Sequence, residues 1–296
     1  MQNYLIIGAR GYLGSLFLNY IRPTLDKKIF APSKDELDST NLEKLRFFCD
    51  NNNINVCVNF AFEVGSSLNP IDSSTSNDLI CKNVFMLLQS GTIETLINFG
   101  TALYYENNSF ENEDDLTNCS FNNINNKYLR DKIFLLKHHL RNKNQFDSRL
   151  IVVPNIISAN VPSKYLFSKL LDLKNLEHGT FLGRDDDVRS FLGMKDFCLI
   201  LLTVLRLEKY TFSNLTNRNN ILNIGNDEFF NIKDFVRLYI SVNNIKIKSL
   251  SFKNVNLNQR SIVNFSCNLL NKIIHDQSLS IQSTKECLQY IKLQQY

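Results

Sequence analysis

Tyr128 and Lys132 stand four residues apart in Lys127-Tyr128-Leu129-Arg130-Asp131-Lys132, a spacing that brings two side chains onto one face of a helix. An ammonium beside a phenol favours the phenolate and lowers a pKa that is ordinarily about 10. Such a pair can hand a proton to an oxygen that is gaining negative charge, which is the acid that hydride reduction of a carbonyl requires. The pattern arises readily by chance in a chain with 11 Tyr, and Tyr165 with Lys169 repeats it. That second pair follows Pro162, past the last clear strand of the series described below, where its hydroxyl would face substrate or core. Thr101, in Phe99-Gly100-Thr101-Ala102, leaves a strand carrying a hydroxyl able to bond a substrate carbonyl. Tyr128 opens the helix that follows this strand and its loop, so Thr101, Tyr128 and Lys132 are the predicted catalytic set, converging at the carboxyl ends of the strands.

A second cluster sits at the start of the chain. Gly8-Ala9-Arg10-Gly11-Tyr12-Leu13-Gly14 places three glycines where an apolar strand hands over to a helix. Gly8 suits the turn, Gly11 lets backbone approach a pyrophosphate, and Gly14 allows close helix packing. The backbone N–H groups of the turn and of Tyr12 and Leu13 would face the anion at the helix N-terminus. This predicts a nicotinamide dinucleotide. Arg10 and Lys34 are cations where an acidic residue commonly holds a ribose 2′-hydroxyl, which favours NADP(H); Asp35 and Asp38 nearby keep NAD(H) open.

The elements that must position these groups follow from the hydrophobic pattern. Residues 4–7, 28–31, 56–61, 96–99 and 150–153 read as short apolar strands, and 12–21, 41–49, 79–89 and 128–140 as helices between them. Strands alternating with helices imply α/β architecture with a parallel sheet. The polar stretch 106–126 reads as a long loop. Beyond Pro154 the pattern becomes less regular, with helices expected at 165–173, 197–207 and 232–240 and a strand at 221–224. The expectation is a Rossmann-type doubly wound sheet in residues 1–154, with 190–225 contributing, and a smaller α+β C-terminal substrate domain in 155–296.

Composition limits the alternatives. A net charge of +4 without a dense basic block argues against nucleic acid as a partner. Seven Cys, odd in number and without CxxC spacing, argue against a disulfide framework or a metal site. No run approaches the length of a membrane span and no leader pattern is visible, so a cytoplasmic protein without membrane partners is expected.

These motifs together resemble the extended short-chain dehydrogenase/reductase (NAD-dependent epimerase/dehydratase) family that acts on nucleotide sugars. The resemblance covers the glycine turn, Val58-Asn59-Phe60-Ala61-Phe62-Glu63, Asn83-Val84, the Thr101 segment, Tyr128 to Lys132, Val153-Pro154-Asn155, Arg189-Ser190-Phe191 with Asp196, Asn223-Ile224-Gly225 and Arg260. It implies that Phe60, Ala61, Phe62 and Asn83 lie beside the cofactor. It further implies that Glu63, Thr101, Asn155, Arg189 and Arg260 face a nucleotide-sugar substrate, and that the protein is a homodimer. Residues 61–65 and 258–260 are similar to the branch that reduces 4-keto-deoxyhexoses, so the expected activity is NADPH-dependent reduction of the 4-keto group of a nucleotide-linked deoxyhexose. An epimerase or dehydratase with tightly bound NAD, or a non-catalytic NADP-binding homologue, are the alternatives. Three departures bear on this: Thr101 replaces the commoner Ser, Ser190 stands where Asp is usual, and Ser158 falls where the family has Gly.

Overall fold

Four consecutive apolar residues, all buried, form β1 (Tyr4–Ile7), and Gly8 to Gly11 turn the chain into α1 (Tyr12–Ile21). Then follow β2 (Ile29–Phe30), α2 (Leu42–Asn51), β3 (Val56–Asn59), α3 (Ser74–Gln89), β4 (Thr95–Thr101), α4 (Lys127–Asn142) and β5 (Asp147–Val153). The remainder comprises β6 (Asn155–Ile157), α5 (Leu166–Asp172), β7 (His178–Leu182), β8 (Val188–Gly193), α6 (Met194–Arg206), α7 (Lys209–Leu215), β9 (Ile221–Asn223), β10 (Phe229–Asn231), α8 (Ile232–Asn243), β11 (Ser249–Lys253), α9 (Asn268–Asp276) and α10 (Thr284–Gln294). The computed structural model describes residues 2–23, 28–63, 74–107, 111–119, 121, 124, 126–162, 166–182, 184–253 and 261–294.

Among these residues the main sheet has strand order β2-β1-β3-β4-β5-β9. Tyr4 lies opposite both Ile29 and Val56, and Val56 opposite Thr95, all in parallel register. The order reverses between β1 and β3, which makes their carboxyl ends the switch point where open α/β sheets bind ligands. Register then decides what meets there. Ile7 pairs with Asn59 and Asn59 with Asn98, so Gly8 and Phe60 leave the sheet at the level of Phe99, where β4 continues to Thr101. The Rossmann-type fold expected from the alternating pattern is the one observed.

The chain divides into two compact units. One comprises Met1–Tyr104, Glu113–Val152 and Leu201–Leu222; the other comprises Tyr105–Asn112, Val153–Ile200 and Asn223–Tyr296. The second unit contains the sheet β10-β8-β6 and the parallel pair β11-β7. Its core packs Phe191 flat against Phe235, ring centroids 3.6 Å apart, with Phe167, Tyr239 and Leu288 around them. The stretch 106–126, expected to be loop, contains a 3-10 turn at Glu113–Thr117 that buries Leu116.

Asparagine shapes many of the boundaries. Asn41, Asn126 and Asn231 cap α2, α4 and α8 by accepting a backbone N–H three residues on. Asn53, Asn107, Asn217, Asn220 and Asn244 take left-handed backbone, as only Gly8 and Gly91 do among the described glycines.

A buried histidine ties α4 to β5 and to the turn before β9. His139 Nε2 donates to the Asn219 carbonyl at 3.0 Å, and Nδ1, 2.9 Å from Ser148 Oγ, is left to accept from that hydroxyl. Burial holds its pKa down to about 4, against 6.5 in an unfolded chain. As pH falls from 6.5 towards 4 the unfolded state takes up a proton that the folded state refuses, so stability is lost across that window, on the order of 3 kcal/mol in total. Chemical denaturation at pH 7.5 and pH 4.5 should therefore show a smaller loss for His139→Gln than for the wild type; equal losses would remove His139 as a source of acid sensitivity.

Candidate active site

The glycine turn is shaped by exclusion. Gly8 has φ +75°, and a Cβ there would lie 2.5 Å from the Ala61 nitrogen and 2.7 Å from the Phe60 carbonyl carbon. A Cβ on Gly14 would run into the Gly8 carbonyl. Gly11 donates its N–H to Gly8 O at 2.9 Å and then serves as N-cap of α1 with no side-chain cap. The helix therefore begins with an N-terminus that no side chain of the cap covers, beside backbone too close-packed for any residue but glycine. A dinucleotide pyrophosphate fits such a cradle, and Gly8, Gly11, Gly14 and the backbone of Tyr12 and Leu13 could hold it.

At the outer end of the switch point, Lys34 Nζ lies 3.2 Å from Glu63 Oε1, an ion pair in which both side chains are exposed. Arg10 is exposed on the glycine turn. Two carboxylates nearby are already engaged: Glu36 accepts the Ser33 N–H at 2.6 Å, and Asp38 accepts both the N–H and the hydroxyl of Thr40, bonds that hold both groups below the usual carboxylate range. Asn83, expected beside the cofactor, donates to the carbonyls of Ser39 and Thr40 at 2.9 and 2.8 Å. It thereby fastens the chain after β2 to α3.

Two of the three catalytic candidates, Tyr128 and Lys132, come together beside β4, the strand that Thr101 closes. Thr101 is the last residue of β4, buried, with Oγ1 accepting the Leu103 N–H at 3.3 Å. Lys132 is 6% exposed, and its Nζ donates to the Phe99 carbonyl at 2.8 Å. The same Nζ sits 3.7 Å from the centre of the Phe62 ring and 5.8 Å from that of Tyr128. Burial is the first cause that brings the ammonium down to about 7. Tyr128 is half-buried in the first turn of α4, its ring edge-on to Phe62 with centroids 5.5 Å apart. Phe62 follows Ala61, whose nitrogen walls the Gly8 turn, so the phenol ring borders the loop that lines the cradle. Phe60 continues the aromatic surface inward, stacked on Phe99 at 4.4 Å.

Two supporting residues escaped the sequence reading. Tyr104, fully buried, donates its hydroxyl to the Lys132 carbonyl at 2.6 Å and fixes α4 against the end of β4. Its ring is admitted by Gly100, where a Cβ would meet it at 2.8 Å. Asn77 of α3 brackets the loop that carries Phe62: Oδ1 accepts the Glu63 N–H at 2.8 Å, while Nδ2 donates to the Glu63 carbonyl at 3.1 Å and to Asp131 at 2.8 Å. Tyr104 lies one turn past Thr101 and could have been suspected from that proximity. Asn77, 54 residues from its carboxylate partner, carries no local signal.

Asn155 and Arg189 belong to the second unit. Asn155 is exposed and donates to the Ser190 carbonyl at 3.2 Å. Arg189 donates to the carbonyls of Val188 and Ser261 at 2.8 and 2.9 Å and lies 3.6 Å from Asp187, so much of its fork is committed to the framework. Arg260 and the second tyrosine, Tyr165, lie outside the described residues.

No curated protein sequence matches the chain. Among solved structures it is similar to dTDP-glucose 4,6-dehydratase from Bacillus anthracis, solved with NAD, at TM-score 0.77 and 16% identity over 99% of this chain and 96% of that one. It is likewise similar to the GDP-mannoheptose C4 reductase of Campylobacter jejuni with NADP bound, at TM-score 0.76 and 14% identity over 99% and 97%. A TM-score of 0.82 at 12% identity, over 99% of each chain, relates it to L-threonine dehydrogenase from Phytophthora infestans. These likenesses establish a common fold. The family model for the NAD dependent epimerase/dehydratase family matches residues 4–225. With a glycine cradle at the switch point and three quarters of its length inside that match, the chain belongs to the NAD dependent epimerase/dehydratase family.

Proposed function

We infer that this protein is an NADPH-dependent reductase of the 4-keto group of a nucleotide-linked deoxyhexose. The observation that carries the reading is the buried Lys132 ammonium, held on the Phe99 carbonyl beside the Tyr128 ring at the carboxyl edge of the sheet. A bound nicotinamide supplies the hydride. Tyr128 gives its phenolic proton to the substrate oxygen as that oxygen gains charge, and the Lys132 cation stabilises the phenolate left behind. Thr101 orients the carbonyl by hydrogen bonding. Glu63 is proposed toward the sugar nucleotide, and Phe60, Ala61, Phe62, Arg10, Lys34, Asp38 and Asn83 around the dinucleotide.

Because Asp38 and Glu36 are held by hydrogen bonds while Arg10 is exposed and Lys34 is held by an exposed ion pair to Glu63, a ribose 2′-phosphate is the better fit there. Lys34→Ala should raise KM for NADPH about tenfold, the loss of one charge-assisted contact, and leave KM for NADH within about twofold. Equal effects on both cofactors would place Lys34 outside the phosphate site.

The defining experiment incubates the protein with NADPH and a panel of nucleotide-linked 4-keto-deoxyhexoses, with L-threonine and NAD as a control pair, and follows the reduced-nicotinamide absorbance. Consumption coupled to a keto sugar supports the reading. An epimerase or dehydratase would convert substrate without net consumption and would copurify with NAD; the apolar Ala102 and Leu103 after Thr101 provide no acid or base for the dehydratase. Cofactor binding with no turnover on any of these substrates would mark a non-catalytic homologue.

A further inference from the structure

Lys132 has a neighbour that a lysine meant only to touch a ligand would not need. The Phe62 ring lies 3.7 Å from Nζ, and the same ammonium donates to the Phe99 carbonyl at 2.8 Å. Phe62 does not reach this place by accident of a loose loop. The residue after it is bracketed by Asn77 through its N–H and its carbonyl, and Asn77 is in turn fastened to Asp131, the neighbour of Lys132 on α4. The carboxylate of Glu63 adds a tether to Lys34. One short segment thus lines the cradle with Ala61, covers the lysine with Phe62 and reaches the β2 edge with Glu63.

We propose that Phe62 is a positioning residue of the active site, an aromatic plate that clamps the Lys132 ammonium against the Phe99 carbonyl and controls its exposure to water and hence its charge. The proposal rests on the reductase reading for its catalytic meaning but not for its physical content. An aromatic face acts on a buried cation in two opposed ways. Its bulk excludes water, which disfavours the charged form, and its quadrupole attracts the cation, which favours it. The other groups facing the ammonium are Asp131 on the same helix, Cys81 on α3 and the Tyr128 ring, with Asp78 in turn facing Asp131. Substitution of Phe62 removes its edge contact with the Tyr128 ring but leaves the Asp131 and Cys81 side chains beside the ammonium. Its two contributions can therefore be separated by choice of replacement.

The test is a titration of the cofactor-free protein labelled with 13Cε-lysine, in which the Lys132 resonance is identified by its loss in Lys132→Met. The wild-type midpoint is expected near 7. Phe62→Ala admits water and should raise it by about one pH unit or more, a tenfold change in proton affinity. Phe62→Leu keeps the burial and removes the π face, and should lower it by roughly half a unit. If the Ala variant does not fold, the Leu variant decides by direction: a fall supports the proposal, and no change or a rise overturns it. With both variants folded, unmoved midpoints or shifts of the same sign overturn it. A merely structural role would alter melting temperature without splitting the two in this way. Failure here with normal keto-sugar reduction would leave the reductase assignment standing; the predicted shifts without turnover on any keto sugar would remove that assignment alone.

Discussion

Tyr128→Phe should lower keto-sugar reduction by about 10²–10⁴-fold, the usual worth of a positioned general acid, while leaving the dissociation constant for NADPH within about twofold. The split follows from geometry. The phenylalanine ring can keep the edge contact with Phe62 and the place above Lys132, since both are made by the ring and not by the hydroxyl. What disappears is the only proton that the proposed mechanism delivers from this helix. Single-turnover rates with saturating NADPH, alongside cofactor titration by fluorescence, separate the two quantities. A variant that turned over normally would leave Lys132 and Thr101 without an acid to serve, and the reductase reading would fall with it.

Gly8→Ala should destabilise the protein by on the order of 3 kcal/mol, combining left-handed strain in a non-glycine residue with overpacking against backbone. The new methyl would lie 2.5 Å from the Ala61 nitrogen and 2.8 Å from its Cα. Neither neighbour is a flexible side-chain tip that could swing aside. The displaced segment is the one that lines the cradle, so dinucleotide affinity should fall with stability. Gly91→Ala is the matched control: its φ is also +75°, but nothing stands within 4 Å of the added carbon. It should cost only the backbone term, about 1 kcal/mol. Urea unfolding of the two variants would distinguish crowding from backbone hand; equal losses would mean that the close approach to Ala61 is not what fixes glycine at position 8.

The first half of the fold was legible because each element carries its own signal within a short window. The apolar run at 4–7 followed by glycines, and the helical spacing of Tyr128 and Lys132, each need no knowledge of the rest of the chain. The helix expected from residue 79 instead begins at Ser74, since its first turn is polar and shows no hydrophobic period. The pair β7 and β11 was invisible for another reason. Each strand is short, and one face carries polar contacts, His178 to Ser249 and Thr180 to Ser251, whose partners are 71 residues apart. At the site, spacing pointed to the phenol and the ammonium but not to what surrounds them. Asn83 donates its amide to two carbonyls after β2, 44 and 43 residues away in sequence, contacts that no local pattern shows. The Phe62 plate and the Asn77 bracket are likewise products of the third dimension.

Arginine 149 shows how little sign of energetic role a sequence gives. It forms a two-pronged ion pair with Asp147 on the same face of β5, both side chains almost wholly buried, with its guanidinium 4.9 Å from the centre of the Phe212 ring. Pairing repays the desolvation of both charges only while the geometry is intact. It belongs to the scaffold of the first unit and not to the chemistry.

The five asparagines in left-handed backbone bear on a state the folded chain never occupies. Before folding, a glycine wanders over nearly twice the conformational space of any residue with a Cβ, and ordering it is correspondingly costly. Reversing direction on asparagine at 53, 107, 217, 220 and 244 narrows the denatured ensemble at those joints, an advantage on the order of half a kcal/mol each, set against a modest strain that asparagine tolerates better than other residues with side chains. A chain of 296 residues can thus manage with 10 glycines and keep the irreplaceable ones for places where space, not entropy, makes the choice.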